Sequence, residues 1–183
     1  ELHRSVPEWR AAAVMGKVNL YYLTGTMPSG VLVIPRDEDA VLWVRRSHAR
    51  SVEESEFPRI VPMRSFRDLV DGWRDRPASI LIEKDLVTLA HADRFNKHLG
   101  FASFDVIEPA LARVRAVKSP YELNLMRRAG EIHRRVLEDV APDFIKEGIS
   151  EAELGAEVLR VLLREGHHAV TRVSMLDTEL FMG

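Results

Sequence analysis

The stretch that decides the fold is GVLVIPRDEDAVLWV, residues 30–44. It contains two apolar runs, 30–35 and 40–44, separated by the polar tetrapeptide Arg-Asp-Glu-Asp. Both runs are rich in branched aliphatic residues, which are enriched in β-strands. Two such runs joined by a short polar turn predict a β-hairpin. The fold should therefore contain a sheet built on this hairpin.

Strands and short helices alternate on either side of the hairpin. Further strands are predicted at 9–15, 59–62, 79–83 and 103–107. Helices are predicted at 47–54, 65–73 and 88–99, whereas 18–23 fits either a strand or a short helical turn. Strands that alternate with short helices predict an α/β sandwich.

Single residues mark several ends of these elements. Ser47 is a candidate N-cap for the helix at 47–54, because Ser accepts hydrogen bonds from the first turn. Pro62 places its strand at a sheet edge, since proline cannot donate to a ladder. Gly100 ends the helix at 88–99.

The pattern changes near residue 109 from short alternating elements to long helices. A helix at 110–117 is followed by Ser119-Pro120-Tyr121-Glu122, the sequence of a capping box that opens a long helix. Ser150 and Glu153 form a second capping box. The first long helix should carry one apolar stripe, made of Met126, Ala129, His133, Val136, Leu137 and Val140.

The last segment suggests an incomplete domain. Residues 171–176 are strand-like, and a lone strand after two helices needs partners for its backbone hydrogen bonds. We therefore expect an α/β domain over 1–110 and the incomplete start of a second domain over 111–183.

The composition excludes several classes of function. The 183 residues hold 26 Lys and Arg against 28 Asp and Glu, a net charge of −2, so neither a nucleic acid nor an anionic membrane surface is an expected partner. No cysteine is present, which excludes a disulfide scaffold, a thiol nucleophile and a cysteine zinc site. The longest apolar runs are too short to span a bilayer and no signal peptide is visible, so we expect a cytoplasmic protein.

The chemistry-bearing residues do not form a recognisable site. His91 and His98 are seven positions apart, too far for the i, i+4 spacing that lets two histidines share a metal. His167-His168 follows a helix end, where histidine is favoured by the helix dipole. Asp177 and Glu179 would share one face of a strand but lack further ligands. Gly-x-Ser-x-Gly and a phosphate-binding loop are also absent, so no catalytic or metal-binding residue is predicted.

Three segments resemble motifs of one enzyme family. NLYYLTG at 19–25 resembles N-x-x-Y-L-T-G, VKSPYEL at 117–123 resembles x-K-S-P-x-E-I, and EGISEAEL at 147–154 resembles x-G-x-T/S-E-x-E-L. They occur in the order and spacing of the creatinase/prolidase/aminopeptidase P family. The chain is similar to that family from about Trp9 to Gly183.

The resemblance implies a two-domain enzyme of which this chain is an N-terminal portion. Residues 1–110 would form a creatinase-type domain, a mixed sheet flanked by helices, and 111–183 the helix–helix–strand start of a pita-bread α+β domain. In most of the family that second domain holds two divalent ions, Mn, Co or Zn, which activate a water against the peptide bond before proline. No residue here matches the family's metal ligands, so this chain alone should be inactive and its parent a Xaa-Pro dipeptidase- or aminopeptidase-like metallopeptidase.

The resemblance also implies a role for the N-terminal domain. In related enzymes it lines the active site of a neighbouring subunit, and Tyr21, Thr26 and Met27 occupy the matching positions. The alternative for Tyr21 is internal packing. The expected assembly is a homo-oligomer, a dimer in the simplest case, whose partner covers apolar helix faces such as Met126 and Val136. A peptide substrate would bind only the full-length parent.

Two other functions fit the same sequence. One is a non-catalytic dimerisation or regulatory module, and the other is a free-standing α/β binder of small molecules. A reading frame that continues with the family's five metal ligands would favour the peptidase. The sequence does not distinguish dipeptidase, aminopeptidase and creatinase-type activity.

Overall fold

The computed structural model describes residues 1–73 and 75–167. The chain divides into two compact units, Glu1–Val117 and Lys118–Gly183. The first unit contains the predicted hairpin, and the second begins at the capping box of Ser119. The division predicted at residue 110 lies within the first of these units.

One mixed sheet forms the centre of the first unit in the described residues. The strands are β1 (Ala11–Val14), β2 (Ser29–Pro35), β3 (Val41–Arg46), β4 (Ile60–Pro62), β5 (Ser79–Ile82) and β6 (Ser103–Val106). Their order in the sheet is β4-β3-β2-β1-β5-β6, with β1–β2 and β2–β3 antiparallel and the other neighbours parallel. Only β2 therefore runs against the common strand direction.

The predicted hairpin is confirmed as the β2–β3 pair. Val33 lies opposite Val41 and Leu32 opposite Leu42, so the polar tetrapeptide forms the connection between them. β4 lies at one edge of the sheet, where Pro62 costs no ladder hydrogen bond to a further strand. The α/β prediction is confirmed as a mixed sheet flanked by helices.

Helices cover both faces of the sheet. The helices of this unit are α1 (Leu2–Ser5), α2 (Lys17–Thr24), α3 (His48–Glu54), α4 (Asp68–Gly72), α5 (Leu89–Leu99) and α6 (Glu108–Ala116). α4 and α5 bury Leu69, Phe95 and Leu99 against one face, and α2 and α6 bury Leu20 and Leu111 against the other. No helix in the described part of the chain is both long and apolar enough to cross a membrane.

One open alternative is decided by the structure, and two local predictions differ from it. The segment at 18–23, which fitted either a strand or a helical turn, lies within the helix α2, in agreement with the helical alternative. The helix predicted at 65–73 is shorter, because Asp68 accepts hydrogen bonds from the backbone N–H groups of Arg64 and Ser65 and α4 begins only at Asp68. Ser47 precedes α3, but its side chain makes no capping hydrogen bond, since its φ of 65° is left-handed.

The second unit begins with the two predicted capping boxes. Ser119 with Glu122, and Ser150 with Glu153, make both reciprocal hydrogen bonds. The helical elements are α7 (Pro120–Arg134), a π-helical turn (Arg135–Val140), a 3₁₀ turn (Ala141–Phe144) and α8 (Glu151–Arg164).

The predicted apolar stripe on the first long helix differs in burial along its length. Val136 is fully buried, whereas Met126 is 56% exposed and Leu137 is also exposed. A π-helical turn begins at Arg135 and rotates the positions after it relative to those of α7. The strand predicted at 171–176 lies outside the described residues.

Candidate functional site

The segment that carries the 19–25 motif is a helix held at both ends. α2 follows β1 directly, and Gly25 ends it with a φ of 77°, a left-handed conformation that glycine adopts without steric cost. Thr24 is buried, and its hydroxyl donates to the carbonyl of Leu20 at 2.7 Å. The Thr-Gly pair of the motif therefore closes the helix and starts the loop into β2.

Glu83 anchors the other end of this helix. Its carboxyl group is fully buried at the end of β5, and one oxygen accepts from the backbone N–H groups of Met15 and Gly16, each at 2.6 Å. The other oxygen accepts from Asn19 Nδ2 at 2.6 Å. A buried carboxyl group is tolerated where such donors replace its water.

Asn19 and Arg115 extend this network towards α6. Asn19 Oδ1 accepts from Arg115 Nη1 at 3.0 Å, so the amide links the buried carboxyl of Glu83 to a guanidinium. From the sequence, Asn19 is recognisable only as the first residue of the 19–25 motif, and no role is indicated for Glu83 or Arg115. The local signal for Glu83 is a charged residue directly after an apolar strand.

Glycine is required at position 16 because the side chains of Glu83 and Leu86 lie too close to leave room for a Cβ atom. Its φ of −64° is one that any residue can adopt. A Cβ atom at this position would lie 2.5 Å from Glu83 Oε1 and 2.7 Å from Leu86 Cδ1. Both distances are shorter than van der Waals contact allows. The carboxyl group can therefore reach the backbone of the β1–α2 turn only because residue 16 lacks a side chain.

The predicted substrate-shaping residues have different environments. Tyr21 is 56% exposed, so the alternative of internal packing does not describe it. Met27 is also exposed, whereas Thr26 is only 2% exposed. Residues 26–29 alternate between buried and exposed, which points Met27 and Ser29 outward and Thr26 inward.

Thr26 fixes the loop instead of presenting its hydroxyl to solvent. Its Oγ1 donates to Glu54 Oε2 at 3.0 Å, and the other carboxyl oxygen of Glu54 accepts from Arg50 Nε at 2.5 Å. The hydrogen bond from Arg50, followed by that from Thr26, lowers the pKa of Glu54. The loop therefore holds Met27 in place through a charged group on α3.

The exposed side of α2 is mostly apolar, with Lys17 as its charged residue. Val18, Tyr21 and Tyr22 are spaced i, i+3 and i+4, lie on one helix face and are all exposed. The hydroxyl of Tyr22 donates to the carbonyl of Val114 at 3.4 Å, next to the exposed side chain of Val114. We call Val18, Tyr21, Tyr22 and Met27 the α2 surface.

The metal centre that the family resemblance implies does not fit the described residues. Residues 1–73 and 75–167 contain no group of three or more His, Asp or Glu side chains placed to hold a metal ion. His91 and His98 lie on α5 without a carboxylate beside them that would complete such a group. His168, Asp177 and Glu179 lie outside the described residues.

Comparison with known proteins assigns the family. The model of the Creatinase/Prolidase N-terminal domain matches residues 8–117, more than half of the chain. The chain therefore belongs to the creatinase/prolidase N-terminal domain family, as the motifs indicated. The matched segment ends at the boundary between the two compact units.

Relatives and solved structures agree with this assignment. An uncharacterized peptidase of Staphylococcus aureus is 24% identical over 181 residues, which cover 94% of this chain and 50% of the relative. The prolidase of Pyrococcus horikoshii has a TM-score of 0.78 at 22% identity, over 88% of this chain and 46% of that one. The Xaa-Pro dipeptidase of Bacillus anthracis has a TM-score of 0.78 at 16% identity, over 91% and 48%. The chain thus resembles the N-terminal part of Xaa-Pro peptidases and spans about half the length of its curated relatives.

Proposed function

We propose that this chain is the N-terminal portion of a Xaa-Pro peptidase. The observation that carries the proposal is the match of nearly the whole chain to one half of longer peptidases. The relatives' names are peptidase, prolidase and Xaa-Pro dipeptidase, so hydrolysis of the peptide bond before proline is the activity we assign to the parent.

The catalytic metal centre of such a parent would lie outside the residues described here. Mn, Co or Zn would be held by side chains of its second half, because residues 1–73 and 75–167 supply no ligand group. This chain would then contribute structure and surface to the enzyme, while other residues perform the chemistry.

The α2 surface is the part of this chain that we assign to the substrate side of the parent. Tyr21 and Met27 project outward from backbone that is fixed by Glu83, Gly25 and Thr26. Exposed apolar side chains on a rigid support are suited to line a binding site, because little conformational entropy is lost on contact. The same surface would serve contact between subunits in a homodimer.

The peptidase proposal is tested on the parent, in which this sequence is followed by a second half of the relatives' length. With Mn²⁺ or Co²⁺ present, it should hydrolyse Ala-Pro at least 100-fold faster than Ala-Ala, because a pocket shaped for proline discriminates in the transition state. Tyr21→Ala should raise KM with a small change in kcat, whereas exposed Lys84→Ala serves as the control. Equal hydrolysis of both dipeptides would reject the proposal.

Subunit association is tested separately by light scattering. The chain should give at least a dimer mass, and Tyr21→Glu should shift it to the monomer with unchanged circular dichroism. A monomer mass for the unmodified chain at high concentration would contradict association through this chain.

A further inference from the structure

A basic cleft opens at the end of the sheet where β3 and β4 have their C-termini. Its volume is about 390 Å³, and its walls come from the start of β2, the end of β3, the segment after β4 and one face of α5. In sheets with parallel strands, ligands bind beside the carboxyl ends of the strands. β3 and β4 are parallel, so this cleft has that position.

The charge of the cleft is of one sign. Its ionisable lining residues are Arg45, Arg64, Arg94, Lys97, His91 and His98. Among the described residues that line it there is no Asp or Glu. Arg45, Arg94 and Lys97 take part in no ion pair within the part of the chain that the structure describes. The carboxyl group of Asp68, which is not among the lining residues, accepts from the backbone N–H groups of Arg64 and Ser65.

The basic groups stand on a rigid support. His91, Arg94 and His98 are spaced i, i+3 and i+7, and so share one face of α5. The neighbouring face of α5 is fixed in the core by Phe95, and the ring of Phe66 packs edge-on against both His91 and Phe95 at centroid distances of 5.5 and 5.2 Å. Thr88 is the N-cap of this helix, and its side chain accepts from the backbone N–H of His91.

The positive charges around the cleft also affect the pKa of His91, one of its lining residues. Partial burial, and after it the positive charges of Arg94 and Arg45, lower the pKa of His91. Arg45 belongs to β3 and Arg94 to α5, and the ring of Phe66, which also packs on His91, is uncharged. Cations from two elements therefore converge on one point of the wall without an acidic partner in the cleft.

We propose that this cleft is a binding site for a polyphosphate group. Guanidinium groups bind phosphate oxygens through paired, charge-assisted hydrogen bonds, and three arginines and a lysine suit several linked phosphates better than a single carboxylate. A volume of about 390 Å³ lies within the range of small-molecule sites. A nucleoside triphosphate and inorganic polyphosphate share this chemistry. The site is separate from the α2 surface and independent of the proposed peptidase activity.

Isothermal titration of the 183-residue chain with inorganic triphosphate tests the site. Arg94→Gln should weaken binding at least tenfold, because each charge-assisted hydrogen bond to phosphate contributes about that much. Arg59→Gln is the matched control: Arg59 is exposed at the opposite end of β4, outside the cleft, and its loss should change binding less than twofold. Circular dichroism should show both variants folded, since both side chains are exposed.

Titrations with ATP and with oligoglutamate show which class of anionic ligand the cleft prefers. Equal affinity for ATP and triphosphate supports a site for phosphates alone, and tenfold tighter binding of ATP supports a nucleotide site. Undetectable binding of both at millimolar concentration would overturn the proposal. Equal weakening by Arg94→Gln and Arg59→Gln would overturn it as well, and so would tighter binding of oligoglutamate, which would indicate an acidic protein segment.

Discussion

Glu83 lies at the point where the end of β5, the turn after β1 and the first turn of α2 meet. Its two oxygens serve three donors, and the pairing with Met15 and Gly16 satisfies backbone N–H groups at the start of the helix. Such groups have no partner within the helix itself. The orientation of α2, and with it of Tyr21, therefore depends on one buried side chain.

Glu83→Ala should lower the free energy of unfolding by about 3 kcal/mol, because it leaves buried donors without an acceptor. Urea unfolding followed by tryptophan fluorescence measures this change. Glu56→Ala, at an exposed position, is the control, and its free energy of unfolding should stay within about 0.5 kcal/mol of that of the unmodified chain. A loss no larger than that of the control would show that water replaces the carboxyl group.

Features whose partners are close in the sequence were predictable, whereas contacts between distant segments were not. The capping box of Ser119 and Glu122 spans three residues, so the sequence itself displays both partners. Glu83 and Asn19 are 64 residues apart, and only the sheet order brings them together. The Asn of the 19–25 motif was recognisable from its family, but its partner was not.

The long helix of the second unit shows a further feature that the sequence did not predict. The periodicity of α7 correctly predicts a helix from Pro120, but the register is lost at Arg135, where the π-helical turn begins. A π-turn has no distinct composition, since it is selected by packing such as the burial of Val136. Apolar spacing alone therefore placed Met126 and Val136 on the same stripe, whereas in the structure Met126 is exposed and Val136 is buried.

The two capping boxes should make the second unit sensitive to acid. Hydrogen bonds from the backbone and then the side chains of Ser119 and Ser150 lower the pKa of Glu122 and Glu153 from the ordinary value of 4.5. Because these pKa values are lower when folded, the stabilisation is complete above pH 4.5 and is lost as the pH falls through the folded values. Helicity at 222 nm should fall over this range.

The double variant Glu122→Gln and Glu153→Gln isolates this effect. Glutamine accepts the same hydrogen bonds without titrating, so this variant should show a smaller loss of helicity below pH 4.5. An identical acid profile for the variant and the unmodified chain would assign the loss to other carboxyl groups.

At the scale of the whole molecule, the first unit contains everything its core requires. Ile107 and Leu111 complete one face of the sheet, and Arg115 of α6 reaches Asn19.

Residues 1–117 should consequently fold alone with a single cooperative thermal transition. Residues 1–110 should melt at a lower temperature, because they lack Leu111 and the rest of α6. Residues 118–183 should show no cooperative transition, since among their described residues only Val136 and Ala141 are buried. Circular dichroism melts of the three pieces decide this, and a cooperative transition in 118–183 would contradict it.

The central claim is that this chain provides fold and surface while the family's chemistry resides elsewhere in the parent. The most direct measurement is hydrolysis of Ala-Pro by the 183-residue chain with added Mn²⁺ or Co²⁺, against a blank of the metal alone. Because the described residues offer no metal-binding group, we predict no turnover above the blank. Saturable turnover that EDTA abolishes would contradict the claim and place a catalytic centre within this chain.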